Sequence, residues 1–409
     1  MPTRFAQRLD VIQPSATLAV SARAAALRAQ GRTIYPFGVG EPDFDTPAHI
    51  RDAAKASLDA GQTRYTAVSG TAELRKAIAA ESARRRSVPC LPEQVVVSVG
   101  AKHALFNLAV ALYEPGDEVI VPAPYWVSYP EQVRLVGATA VIPETREDEG
   151  WLLSPAALER ALSPRTKAII LCSPSNPTGS GYAEAKLRAL LAVLDKHDCW
   201  LIVDEIYAAL VYDGFQHVSA LSIAAREFPS IRDRILVIDG VSKSYAMTGW
   251  RIGWSITPTP LAKVLDVVQS QSTSNPSAVA QAAALAAMTG PQGSIETMRV
   301  SFEARRRRMV DGLAAIPGVR CRAPEGAFYA FADFRALLGL RTPFARSGVI
   351  ADDLDIATFL LEAAGCAAVP GSAFGAPGYM RFSYATSEEN IDRGLAGAKA
   401  AVEAARVAG

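Results

Sequence analysis

The segment ILVIDGVSKSYAMTGWRIGWSI, Ile235–Ile256, holds two apolar runs, Ile235–Ile238 and Ile252–Ile256, joined by a stretch of small and polar residues. Runs that are apolar throughout, rather than alternating, read as strands covered on both faces. Lys243 stands in the turn just after the first run, and Arg251 comes eight positions later, at the start of the second. A lysine forms an imine with an aldehyde where its surroundings favour the neutral amine. Arginine is the planar clamp for a phosphate. A compound carrying both groups needs both side chains at a fixed separation. Taken alone, such a pair is more often a surface lysine and a salt-bridged arginine, so the surrounding chain has to decide.

Working outward, further apolar strand candidates are Gln94–Val99, Glu118–Val121, Ala138–Ile142, Ala168–Leu171 and Trp200–Val203. Helical patterns lie at Val20–Ala29, Ala72–Arg85, Lys102–Leu112, Trp126–Val136, Pro155–Ala161, Ala183–Lys196 and Ile206–Leu210. This alternation predicts an α/β fold with a mostly parallel sheet sandwiched by helices. A long charged helix is expected near Ile295–Ala315; its basic run Arg305–Arg308 reads as a solvated face rather than a nucleic-acid patch. Beyond it, a strand at Gly326–Phe331, a polar loop at Arg335–Asp353, a helix at Ile356–Ala364, a strand at Tyr379–Tyr384 and a terminal helix from Glu388 predict a smaller C-terminal α/β domain. The expected organisation is an N-terminal arm with part of the small domain over 1–47, a large domain over 48–290 and the small domain over 291–409.

Composition narrows the functional classes. A chain of 409 residues, half of them hydrophobic, has enough material for two or three domains. A net charge of +1 gives no electrostatic case for nucleic acid or an anionic membrane. Five cysteines without CxxC spacing argue for reduced thiols, and four unpaired histidines (His49, His103, His197, His217) argue against a metal. No apolar run approaches a membrane span, and arginines interrupt any leader-like core near the N-terminus. A cytoplasmic protein is expected.

Several short segments carry chemistry. In LIVDEIY, Asp204 ends an apolar run, at the sheet edge where ligands gather. It could simply cap a following helix, or stand as a buried anion facing a protonated ring nitrogen; Tyr207 would share that point from the first helical turn. SPSNPTG, Ser173–Gly179, is a rigid turn projecting Asn176. SVGAKHALF, Ser98–Phe106, reads as strand, glycine and helix start, a geometry whose backbone N–H groups bind phosphate and that also occurs where nothing binds. Trp126 in APYWVSYP could stack on a heterocycle or belong to the core.

Together these segments resemble the pyridoxal-phosphate aminotransferases of class I, of the fold type I architecture. The resemblance covers nearly the whole chain. It rests on PSAT (Pro14–Thr17), GEPDFDTP (Gly40–Pro47), Tyr65, the phosphate loop, PYW, SPSNPTG, DEIY, SKSYAMTGWRIG, GAFY (Gly326–Tyr329), PGSAFG (Pro370–Gly375) and MRFSYATSEEN (Met380–Asn390), all in family order. By that resemblance, Lys243 links to the aldehyde of pyridoxal 5′-phosphate and, once released, moves the substrate proton. Asp204 pairs with the ring nitrogen, while Asn176 and Tyr207 hydrogen-bond the phenolic oxygen. Trp126 stacks on the ring. Gly100, Ala101, Lys102, Ser242 and Arg251 surround the phosphate, and Tyr65 is expected from the partner subunit of a homodimer. Arg381 would hold the substrate α-carboxylate, with Gly40, Trp126 and Asn176 supporting it.

Within the subgroup that includes bacterial aspartate aminotransferases, the resemblance implies that Lys102 and Thr17 bind a distal carboxylate. The expected activity is ping-pong transamination between L-aspartate and 2-oxoglutarate. The alternatives are an aromatic, prephenate or alanine aminotransferase, or a cysteine-conjugate β-lyase, on the same fold. The chain departs from the family pattern at three places. Gly240 stands where a phosphate-binding serine is common, GAKH replaces GGKQ, and Gln13 replaces a basic residue usual in prephenate-accepting relatives.

Overall fold

The computed structural model describes residues 5–12 and 16–408, apart from the side chains of Gln7, residues 16–18 and Ala408. Seven strands form the central sheet: β1 (Val95–Ser98), β2 (Glu118–Ile120), β3 (Thr139–Val141), β4 (Thr166–Cys172), β5 (Trp200–Asp204), β6 (Ile235–Gly240) and β7 (Gly253–Ile256). Their spatial order is β1-β7-β6-β5-β4-β2-β3. The sheet from β6 to β3 is parallel throughout, and β7 alone runs against both of its neighbours.

The helices are α1 (Ala16–Ala29), α2 (Ala48–Asp59), α3 (Ala72–Arg86), α4 (Ala101–Leu112), α5 (Ser128–Leu135), α6 (Pro155–Ala161) and α7 (Glu184–Leu194), then α8 (Ala220–Glu227), α9 (Thr259–Ser270) and α10 (Ala278–Thr289). The strands are apolar throughout because both faces are covered. Ile170, Ile202, Leu236 and Ile238 point into the layer with α4, α5 and α9. Their neighbours Ile169, Leu171, Leu201, Val203 and Ile235 point the other way, toward α6, α7 and α8. At the far edge Val95, Val97 and Val237 pack on α2, α3 and α10. Each such aliphatic side chain contributes about 1.5–3 kcal/mol when fully buried.

The second sheet is antiparallel, in the order β10-β11-β9-β8, from β8 (Arg320–Cys321), β9 (Tyr329–Asp333), β10 (Val369–Pro370) and β11 (Tyr379–Ser383). It is covered by α11 (Gly293–Ala314), α12 (Asp353–Ala364) and α13 (Glu388–Ala408). Their shared core includes Phe302, Met309, Phe359, Phe382 and Leu395, and it also takes in Tyr207, Leu210 and Tyr212 from just beyond β5. The exit of β5 is thereby packed against the smaller unit.

Four expectations are corrected. Ile206–Leu210 is a turn, not a helix: its bonds run Ala208 N to Glu205 O and Leu210 N to Tyr207 O, and the Leu210 carbonyl is taken by Ala327 N of the other unit. The strand expected at Gly326–Phe331 begins only at Tyr329, because Gly326 N is bonded to Gly179 O. Trp126 precedes α5 rather than lying within it. The run Arg305–Arg308 is only half solvated: Arg305 pairs with Asp43 at 2.7 Å, and buried Arg306 pairs with Asp213. Helices α2, α8, α9 and α10 were not anticipated.

Candidate active site

The chain leaves β6 at Gly240, returns as β7 at Gly253, and makes a tight excursion beyond the sheet edge in between. Bonds from Tyr245 N to Val241 O and from Met247 N to Ser242 O curl it, with Ala246 and Arg251 in left-handed conformation. Lys243 is thereby aimed into a cavity of about 470 Å³, where its Nζ donates to the Gly40 carbonyl at 2.5 Å. Loss of hydration pulls the ammonium down to about 8; Arg381 and Arg251 push the same way, against Glu41 and Asp204.

Asp204 closes β5 with both oxygens engaged. Oδ2 accepts from the Tyr129 hydroxyl at 2.7 Å and Oδ1 from Ile206 N at 3.2 Å. Burial raises its carboxyl to about 6 despite these two donors. The Ser173–Gly179 turn, whose two X–Pro bonds are cis, presents Asn176. Asn176 Oδ1 accepts from Arg381 Nη1 at 2.9 Å, and Arg381 Nη2 donates to Gly38 O at 2.9 Å. The guanidinium lies 4.5 Å from the Tyr329 ring centre and 5.0 Å from that of Phe374, and its Nε has no bonding partner among the described residues. Tyr207 and Tyr329 share a hydroxyl–hydroxyl bond of 2.9 Å.

The opposite wall is the N-terminus of α4. Gly100 caps it at φ +84°, a conformation that disfavours any side chain. A Cβ there would come within 2.6 Å of Arg251 Nη2, and one at Gly253 within 2.2 Å of Ala101 N. The backbone is thus kept bare around free helix N–H groups, beside the Arg251 cation. Lys102 Nζ stands 5.0 Å from the Trp126 ring centre, its ammonium pushed down by burial and by Arg251.

Of the residues expected from sequence, Gly40, Ala101, Lys102, Trp126, Asn176, Asp204, Tyr207, Ser242, Lys243, Arg251 and Arg381 line this one cavity. Gly100 lies directly behind Arg251. Tyr65 is 89% exposed and does not reach the cavity of its own chain. Thr17 falls in the first turn of α1, its side chain outside the described residues, as is Gln13. Sequence reasoning missed Tyr129, Tyr329, Ser21, Glu41 and Thr248, which also line the cavity or its rim. Two had a signal: Ser21 follows Thr17 by four positions, one helical turn on, and Tyr329 ends the GAFY motif. A second cavity of about 690 Å³ shares Lys102, Val127 and Arg251 with the first.

Residues 32–397 match the family model described as aminotransferase class I and II. The aspartate aminotransferase of Rhizobium meliloti strain 1021 is 44% identical over 391 residues, spanning 95% of this chain and 94% of that protein. The aspartate/prephenate aminotransferase of Nitrosomonas europaea is 45% identical over 396 residues, spanning 96% and 98%. Among solved structures, the aspartate aminotransferase from Rhizobium meliloti superposes with a TM-score of 0.93 at 44% identity, covering 98% of this chain and 99% of that one. The Thermus thermophilus aspartate aminotransferase with maleate gives a TM-score of 0.90 at 41% identity, covering 98% and 100%.

Proposed function

Because this chain belongs to the class I and II aminotransferases, we propose that it moves the amino group of L-aspartate to 2-oxoglutarate, as a homodimer holding pyridoxal 5′-phosphate at Lys243. The observation that carries this reading is the convergence of Lys243, Asp204 and the Asn176–Arg381 pair on one cavity whose wall also bears Lys102.

The residues fit that cofactor. Asp204 is a buried carboxylate to which no cation among the described residues is bonded, at a cavity wall where a protonated ring nitrogen would compensate its charge. The bare backbone at Gly100 and Gly253, beside Arg251, suits a phosphate. The buried, unpartnered Nε of Arg381 marks a guanidinium with donor capacity left for a carboxylate. Tyr65, exposed on its own chain, is free to reach a second copy.

When bound, the cofactor supplies an aldehyde and an electron-withdrawing ring. The protein's part follows from its own groups. Lys243, its pKa lowered to about 8, has a sizeable neutral fraction near neutral pH, so its Nζ can take up and return a proton. Asp204 keeps the ring nitrogen protonated. Tyr207 and Asn176 place a hydroxyl and an amide for the phenolic oxygen, and Tyr329 orients the Tyr207 hydroxyl. Arg381, locked by Asn176 and Gly38 and stacked on Tyr329, orients the α-carboxylate of each substrate in turn. Lys102 is the cation for the distal carboxylate, with Thr17 as its expected companion.

Lys243→Ala should abolish transamination; turnover retained by that variant would defeat the assignment. Lys102→Ala should raise KM for aspartate far more than for alanine or phenylalanine, and equal effects on all three would make Lys102 a phosphate contact only. A second reading, that a bulkier ring carboxylate such as prephenate is also accepted, is favoured by the adjoining cavity, which Phe106, Tyr125, Leu135 and Arg134 line. A donor panel that includes prephenate decides it.

A further inference from the structure

Directly behind Asp204, a buried charge network lies outside the cavity. Arg86, the last residue of α3, is 4% exposed. Its Nη2 and Nε donate to Glu205 Oε2 at 2.6 and 3.1 Å, Nη1 to Ser82 Oγ at 3.0 Å, and Nη2 also reaches Asp239 Oδ2 at 3.4 Å. Arg85 adds a 3.0 Å bond to the same Asp239 oxygen. Asp239 Oδ1 accepts from Gly240 N at 2.8 Å, and His217 Nε2 stands 3.7 Å from Glu205 Oε2. Two guanidinium groups therefore face two carboxylates, with all but Arg85 nearly dry, an arrangement whose desolvation seldom makes it worthwhile for stability alone.

Its placement points elsewhere. Glu205 follows Asp204 directly, and its N–H bonds to Ile238 O, joining the ends of β5 and β6. Asp239 stands four residues before Lys243, on the strand that delivers it. We propose that Arg86, Glu205 and Asp239 are positioning residues for the cofactor site, tying the two strand exits together and setting the potential felt at Asp204 and Lys243. This inference rests on the function proposed above. Two effects support it: the Asp239 charge acts on Asp204 in the raising direction, and Arg86, against the burial that opposes it, holds Glu205 far below the usual carboxylate range.

The test is the pH midpoint of the visible band of the protein loaded with pyridoxal 5′-phosphate, together with the thermal midpoint of the cofactor-free protein. Removing a negative charge (Glu205→Gln or Asp239→Asn) should move the spectral midpoint to lower pH, because positive potential opposes protonation next to Lys243. Removing a positive charge (Arg86→Met) should move it to higher pH. The size expected is about half a pH unit, as for a unit charge roughly 10 Å away at an effective dielectric constant of about 40. The double variant Arg86→Met/Glu205→Gln should return toward wild type. If Arg86→Met does not fold, Arg85→Gln, on the partly exposed member, carries the same sign. Midpoints that coincide with wild type while thermal stability falls, or shifts of one sign for both charge types, overturn the proposal. Absence of a pH-dependent visible band from the wild-type protein, or the same pH-dependent band in Lys243→Ala, would instead defeat the underlying function.

Discussion

Replacing Asp204 by asparagine should make the cofactor-free protein more stable as the pH rises, while destroying its activity. Burial lifts the Asp204 carboxyl from its ordinary 3.8 to about 6, so the folded state holds a proton that the unfolded chain has already released. The sign is that of a raised acid. The penalty is negligible well below pH 4, grows between about pH 4 and pH 6, and is complete above that. Integrated over the two titrations it is about 1.5 kcal/mol at pH 5 and about 3 kcal/mol at pH 8. Asparagine keeps an oxygen for the Tyr129 hydroxyl but turns an amide toward Ile206 N–H, a cost independent of pH that cancels when the two pH values are compared. The advantage of Asp204→Asn over wild type should therefore widen by about 1.5 kcal/mol from pH 5 to pH 8, or roughly 2 °C in thermal midpoint for a chain of this length. Thermal scans of both cofactor-free proteins at the two pH values check it. A stability gap equal at pH 5 and pH 8 would refute the claim that Asp204 is a carboxylate held ionised against its surroundings. Stability given up at one residue is the usual mark of a group kept for its chemistry.

Tyr129→Phe removes the donor to Asp204 Oδ2, a bond to a charged acceptor worth about 1.5–3 kcal/mol, so the Asp204 carboxyl should rise by roughly one to two pH units. The pH at which affinity for pyridoxal 5′-phosphate falls off should move up with it; binding curves that superimpose on wild type would show the hydroxyl to be incidental. Gly253→Ala drives a Cβ to 2.2 Å from Ala101 N, which neither backbone can relieve without moving the start of α4. It should cost about 1–3 kcal/mol of stability and weaken phosphate binding, read by thermal scans and by inorganic phosphate titration.

The central sheet was legible because burial on both faces leaves one signal, an apolar run, that needs no knowledge of its neighbours. Lys243 and Asp204 were legible for the same reason: each is a charged residue just past such a run. What escaped depends on partners far off in sequence. Tyr129 meets Asp204 across 75 positions and Asn176 meets Arg381 across 205, and no local pattern announces either bond. The turn at Ile206–Leu210 has helix-compatible residues, but the smaller unit takes the Leu210 carbonyl and ends it. Arg305 and Arg306 look solvated in a run of four arginines, until Asp43 and Asp213 draw them inward. Helix α10 (AVAQAAALAAMT) has alanine on every side, packs against α2 and α3, and carries no charged residue, so it shows no polar face from which a period could be read. Even the departure at Gly240 has a tertiary cause. It pairs with Gly253 across β6 and β7, and a Cβ there would stand 3.0 Å from both Gly253 Cα and Ile252 O. Glycine at 240 lets β7 approach closely, Gly253 then lets α4 approach β7, and that second contact sets the bare helix N-terminus beside Arg251. A serine at 240 would add a hydroxyl near the phosphate site, and β7 would have to give by a few tenths of an ångström to admit its Cβ.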